Sequence, residues 1–274
     1  MFPVLKTEVY YFSGTGNSLV IARSLAEKLN AKLTPVVPLL KMDSIETDAE
    51  AIGLVFPVYG QKPARIINSF VEKLPNLDSK YVFAVATYGL MAQGALKKLD
   101  SALRLHGARL SVGVVVRMPL NGTVSENVAI EQVRKMEQKA QMKIEALSSL
   151  VEARQAGKIE TTNIWQLLFS RAFVKILPSF FSLMGYVILH GSASNFNADE
   201  RCIGCGTCVS VCPMDNISLV DKKPSWGKTC VHCSACLNWC PQHSVQAGTY
   251  TINKTRYHHP DLQATDIIKQ KQTN

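Results

Sequence analysis

The chain has 274 residues, of which 47% are hydrophobic and 19% charged. That balance excludes a disordered or low-complexity protein and suits about two domains. A net charge of +9 would by itself fit nucleic acid, an acidic partner or an anionic membrane surface, but no helix-turn-helix, finger or RNP-type pattern accompanies it, so no nucleic-acid partner is expected.

The first part alternates short apolar runs with helical periodicity. Strands are predicted at Glu8–Phe12, Leu33–Val37, Ala51–Phe56, Tyr81–Thr87 and Leu110–Val116. Helices are predicted near Leu19–Leu29, Ala64–Lys73, Gly94–Leu105 and, longest, Ser125–Arg154. Near-continuous apolar strands joined by helical crossovers indicate a parallel sheet buried on both faces. Such an open α/β sheet binds ligands beyond the carboxyl ends of its strands. Three loops sit there: Ser13–Ser18, Pro57–Gly60 and Thr87–Gly94.

Ser13-Gly14-Thr15-Gly16-Asn17-Ser18 joins a strand to a helix, where backbone N–H groups and hydroxyls suit a phosphate. It is not a P-loop, because no Lys follows the glycines. It is not a dinucleotide fingerprint either, because Leu19 stands where the third Gly belongs.

Next comes a different stretch. Ile164–Leu189 is mostly apolar and aromatic but carries Arg171, Lys175 and Pro178. Two short packed helices are expected; Arg171 and Lys175, one turn apart, make peripheral membrane contact the alternative.

All eight cysteines lie between Cys202 and Cys240, and none precedes them. A secreted disulfide scaffold staples a whole small fold, so it is a poor explanation for this distribution. Met1–Glu8 shows no basic stretch ahead of a long apolar core. The expectation is a reducing, cytoplasmic compartment with thiols free for metal. From Cys202 and again from Cys230 the chain reads C-x2-C-x2-C-x3-C-P, an internal duplication. Three cysteines in seven residues, twice, are an awkward surplus for structural zinc, which takes four ligands per ion. The spacing is that of [4Fe–4S] ligation.

Residues 198–247 thus resemble a bacterial two-cluster ferredoxin. In that family the fourth cysteine of each motif ligates the other cluster. The resemblance implies Cys202, Cys205, Cys208 and Cys240 around one [4Fe–4S] cluster, and Cys230, Cys233, Cys236 and Cys212 around a second. The Ser13–Ser18 loop resembles the FMN-phosphate loop of flavodoxins, [ST]-x-T-G-N-[ST]. That likeness covers roughly residues 5–155 and implies a doubly wound five-stranded parallel sheet in the order 2-1-3-4-5. It also implies an isoalloxazine site at Pro57, Val58, Tyr59 and Gly60 and at Thr87, Tyr88 and Gly89, with Gly94 closing the far end. Tyr59 and Tyr88 are the candidate ring-stacking residues.

Taken whole, the chain resembles a flavodoxin–ferredoxin fusion family of anaerobic bacteria and archaea. The matching stretches are residues 11–18, 55–59 and 116–119, the cysteine pair, and Arg256-Tyr-His-His-Pro260. The last is read as a docked tail. The expected layout is a flavodoxin-like FMN domain over 1–160, an apolar helical connector over 161–197, a small α+β two-cluster domain over 198–250 and a tail over 251–274.

The function this implies is electron transfer, coupling FMN, a converter between two-electron and one-electron steps, to two low-potential clusters in anaerobic metabolism. The alternative is an FMN-dependent reductase of a small acceptor such as a quinone. An electron carrier is favoured over a substrate-specific oxidoreductase, with a redox protein as its partner.

Overall fold

The computed structural model describes residues 5–89, 91–92, 94–121, 128–156, 159–160, 196–249 and 251–272. The apolar stretch 164–189 lies outside the described residues. Among the described residues, no helix is long and apolar enough to cross a membrane.

The elements alternate as expected: β1 (Thr7–Tyr11), α1 (Asn17–Lys28), β2 (Lys32–Pro35), α2 (Val36–Leu39), β3 (Ala51–Tyr59), β4 (Lys62–Pro63), α3 (Arg65–Val71), β5 (Tyr81–Tyr88), α4 (Ala95–Arg104), β6 (Leu110–Arg117) and α5 (Ile130–Glu152). The sheet runs β2-β1-β3-β5-β6, and every pair along that path is parallel. This is the doubly wound order that places a crevice beyond the strand ends, between the first and third strands.

Helices cover both faces, so β1 and most of β3 and β5 are buried at every position. α1 packs on α5, and α3 on α2 and α4. α4 turns Leu96, Leu99 and Leu103 inward, the spacing of one helical face.

Two local features differ from the expectation. The second strand stops at Pro35, and Val36–Leu39 turns helical. Pro35 has no N–H to continue a ladder, and Pro38 is tolerated in the first turn of a helix. β3 also runs on to Tyr59, where it pairs antiparallel with β4 through a tight turn.

The second half holds β7 (Phe196–Ala198), β8 (Ile217–Val220), β9 (Lys223–Trp226) and β10 (Val245–Ala247). β7 pairs with β10 and β8 with β9, both antiparallel. One-turn helices at Thr207–Ser210 and Ala235–Asn238 follow the first cysteines of each motif. Cys233, Ala235, Trp239, Leu262 and Ile267 belong to the same continuous core as the parallel sheet. The two halves are therefore packed as one hydrophobic unit.

Glu8 on β1 is a buried carboxylate with four donors: Tyr10 Oη (2.8 Å), Thr34 Oγ1 (2.5 Å), Thr47 Oγ1 (3.0 Å) and Lys32 Nζ (2.9 Å). Burial acts to raise its pKa, but these donors outweigh it and hold the carboxyl below its ordinary 4.5. Its contribution to stability is complete above that ordinary value and is lost as pH falls through the lower folded one. Glu8→Gln is expected to destabilise the protein by about 1–3 kcal/mol at neutral pH. Thermal melts across pH should then show a smaller loss of stability than wild type below pH 4.5.

Candidate functional site

The three loops singled out from the sequence meet at the carboxyl ends of β1, β3 and β5. The first is almost entirely enclosed: Ser13 is 2% exposed, Thr15 0% and Ser18 1%. The Ser18 and Thr87 hydroxyls bond each other at 2.8 Å, tying the first loop to the third. Ser13 Oγ accepts from Gly16 N (3.0 Å), and Asn17 Nδ2 donates to Pro119 O (3.1 Å). Asn121 donates through its side chain to Thr15 Oγ1. Leu120 packs on Gly89. The segment Pro119–Asn121 thus buttresses two loops at once.

The remaining partners come from the far end of the chain. Gln270 Nε2 donates to Ser13 O (2.8 Å), and its Oε1 accepts from Ser13 N (3.2 Å). Trp239 Nε1 donates to Gly14 O (3.0 Å), His259 N to Thr15 O (2.8 Å) and Tyr257 Oη to Asn17 Oδ1 (2.9 Å). A Cβ on Gly14 would collide with the Cys233 carbonyl oxygen. One on Gly16 would stand 2.7 Å from Leu262 and 2.8 Å from the His259 side chain. Sequence reading missed these residues as part of the site. The Arg256–Pro260 motif was visible, but nothing local showed where it docks.

Pro57, Val58 and Tyr59 close β3, and Gly60 makes the turn. The Tyr59 hydroxyl is buried, lies beside Gly14 and Cys233, and has no hydrogen-bond partner among the described residues. Burial raises its pKa well above the ordinary value, with the Cys233 thiol adding to the effect. Tyr88 ends β5 half-buried, and its carbonyl accepts from Met118 N (2.9 Å). Gly94 caps α4 with positive φ.

The thiols fall into two groups. Cys202, Cys205, Cys208 and Cys240 line one pocket; Cys212, Cys230, Cys233 and Cys236 line another. These are the two sets that the ferredoxin resemblance implies.

Their spacing discriminates between metals. Thiols about 2.3 Å from one tetrahedral zinc would stand within roughly 4 Å of one another. Among the described residues, the only trio of such ligand atoms all within 4.8 Å is Glu137, His259 and Asp261. All eight thiols are described, so no three of them are that close. The wider spacing fits a core with its own irons and sulfides. Glu137 and Asp261 already share the Arg134 guanidinium, which stands in for a cation there.

Backbone N–H groups point at the sulfurs: Asn216 N to Cys212 (3.4 Å), His232 N to Cys230 (3.4 Å) and Ser244 N to Cys240 (3.3 Å). Such donors stabilise negative charge on a ligated cluster. Burial raises the Cys233 thiol to about 12 and the Cys208 thiol to about 11. At Cys240 burial also acts to raise the pKa, but hydrogen bonds from Ser244 and neighbouring N–H groups win and lower it.

The sets differ in exposure. Cys205 is exposed and Cys202 partly so, whereas Cys212, Cys233 and Cys236 are buried and Cys230 is half-buried. The second set is the inner one, because its Cys233 lies against Gly14.

A flavodoxin domain family model matches residues 8–163, more than half of the chain. The chain belongs to the flavodoxin domain family. A 4Fe-4S dicluster domain model matches residues 201–245, which include every cysteine. The protein is a flavodoxin–ferredoxin fusion.

Solved structures similar to part of the chain include flavodoxins. A flavodoxin from the domain Archaea is 15% identical and covers 53% of this chain and 99% of its own (TM-score 0.34). The two-electron reduced flavodoxin of Megasphaera elsdenii is 17% identical over 50% and 98% (0.33). The rubredoxin oxygen:oxidoreductase of the anaerobe Desulfovibrio gigas is 19% identical over 52% and 36% (0.34). Scores this low add nothing to the family assignment, which rests on the model match and the strand order. No curated protein matches the chain.

The cofactors of these domains are FMN and [4Fe–4S] clusters, and the residues fit both. The cysteine sets have cluster spacing, as above. α1 of the flavodoxin half opens inside the protein with no side-chain cap and no acidic residue in its first turn. Its first N–H groups therefore suit an anion. The unpaired Tyr59 hydroxyl beside Gly14 adds a further donor.

Cysteine variants test the ligand sets. Cys240→Ala is expected to halve the iron from about eight to about four per chain. Adding Cys208→Ala should cost no more iron, because both residues line one cavity. Adding Cys236→Ala should remove the rest. Iron and sulfide assays with low-temperature EPR read the outcome; the reverse pattern would contradict the crossed pairing.

Proposed function

We propose that this protein is an electron carrier that couples FMN to two [4Fe–4S] clusters and delivers single electrons to a protein partner. The observation that supports this best is the contact between the inner cysteine loop and the phosphate loop. Gly14 abuts the Cys233 carbonyl, and its own carbonyl accepts a hydrogen bond from Trp239 Nε1, the residue directly before the outer ligand Cys240.

Ser13–Ser18 would hold the phosphate, with Pro57–Gly60, Thr87–Gly89 and Gly94 around the ring. When bound, the flavin supplies exchange between two-electron and one-electron chemistry. The chain's own residues set the order of the sites. Cys233 and Tyr59 adjoin the phosphate loop, and Trp239 is shared between that loop and the outer set. The outer set opens to solvent at Cys205 beside Ile203, which is 64% exposed. Leu219 (41%) lines the same cavity, and Val220 (58%) follows it on β8. An apolar rim around an exposed ligand suits brief docking of a redox protein.

Cytoplasmic location and anaerobic metabolism fit a protein whose eight thiols are all unpaired. Peripheral membrane contact through 164–189 remains part of the proposal for partners.

Anaerobic reconstitution is expected to give about eight iron, about eight sulfide and about one FMN per chain. Cys205→Ala should leave about four iron. It should slow electron delivery to a protein acceptor at least tenfold while a small dye is reduced nearly as fast. Equal loss with both acceptors would contradict the outer set as the docking port. No flavin after reconstitution would contradict the coupling itself.

A further inference from the structure

The C-terminal tail does more than dock. From Tyr257 to Gln270 it passes over the outer side of the phosphate loop and contacts four of its six residues. Tyr257 Oη bonds Asn17, His259 N bonds Thr15 O, and the Gln270 amide holds both polar groups of the Ser13 peptide. His259 and Leu262 cover Gly16. Within the tail, His259 and Ile267 are 0% exposed and Gln270 is 1% exposed.

The polar contacts that hold this segment down are reversible in water, while Leu262 and Ile267 anchor it in the shared core and are uncovered when it lifts. Asp261 takes a bidentate pair from Arg134 on α5, both distances 2.6 Å. Asp266 takes Arg23 on α1 at 2.8 Å. His259 Nε2 lies 2.8 Å from Glu137 Oε1 without hydrogen-bond alignment. Lys271 reaches Asp215 of the cysteine half at 2.6 Å. The Arg23 and Arg134 pairs lie at the rim and are partly exposed, so opening exchanges them for hydration at little cost. The Gln270 clamp is likewise a side chain paired with a backbone that water can replace once the loop opens.

We propose that Tyr257–Gln270 is a latch over the Ser13–Ser18 loop: closed, it shields the loop from solvent and traps a phosphate-bearing ligand there, and FMN enters or leaves only when it lifts. The ligand rests on the flavin reading given above; the closure rests on the contacts just described.

The test uses the full-length protein and two variants. Gln270→Ala removes the clamp on Ser13. Arg134→Gln releases Asp261 without touching the loop. Hydrogen exchange, measured without flavin, is expected to rise about fivefold or more at the amides of residues 13–18 in both variants, with residues 81–88 unchanged. FMN association and dissociation, followed by flavin fluorescence, should both quicken about fivefold or more, with Kd changing less than either rate. Unchanged loop exchange in both variants would overturn the latch. So would FMN rates equal to wild type in both, which would leave the flavin reading intact. Faster loop exchange in a protein that takes up no FMN supports the closure and removes FMN as its ligand.

Discussion

The Ser13–Ser18 loop is a buried polar segment, and its backbone and side-chain groups must all find partners. In an isolated α/β sheet, water or a bound phosphate would supply them. Here the other half of the chain supplies much of the demand: Gln270 for Ser13, Trp239 for Gly14, His259 for Thr15 and Tyr257 for Asn17. An unsatisfied buried donor or acceptor costs about 1–3 kcal/mol. The loop therefore couples the folding of the parallel sheet to the docking of the cysteine region. The close approach explains two residue choices. Gly14 and Gly16 carry no side chain because Cys233, His259 and Leu262 occupy the space where one would be.

That junction gives the two cysteine sets different surroundings. Cys233 sits in the shared core, so its set is the more enclosed one and faces the flavodoxin domain. The first set opens at Cys205 to solvent and an apolar rim. A more enclosed inner site and a more exposed outer site differ in dielectric and in hydrogen bonding to sulfur, two of the levers that set cluster potentials. The duplication makes the motifs alike in sequence, whereas packing makes the sites unlike in environment.

Much of this was legible in the sequence because it is local. Parallel strands buried on both faces read as continuous apolar runs. A phosphate loop reads as glycines and hydroxyls between strand and helix. The cysteine spacing is set by the size of a cluster. What escaped depends on contacts across most of the chain. Gln270 sits at the end of an unremarkable polar tail and bonds Ser13 257 positions away. The flavodoxin resemblance makes Tyr59 a candidate ring-stacking residue, but only the fold shows that it ends β3 with its hydroxyl buried beside Gly14 and Cys233. The second strand stopped early because two prolines, Pro35 and Pro38, outweighed the apolar run around them.

The Ser13–Ser18 loop and the inner cysteine set form one junction within a single chain. Rapid photoreduction of the anaerobic, fully reconstituted protein tests it, with cluster and flavin absorbance followed separately over a range of protein concentrations. Transfer within the junction predicts a first-order exchange between the two signals whose rate constant does not change with protein concentration. A rate that rises in proportion to concentration would mean that electrons pass only between molecules, and would contradict transfer within the junction.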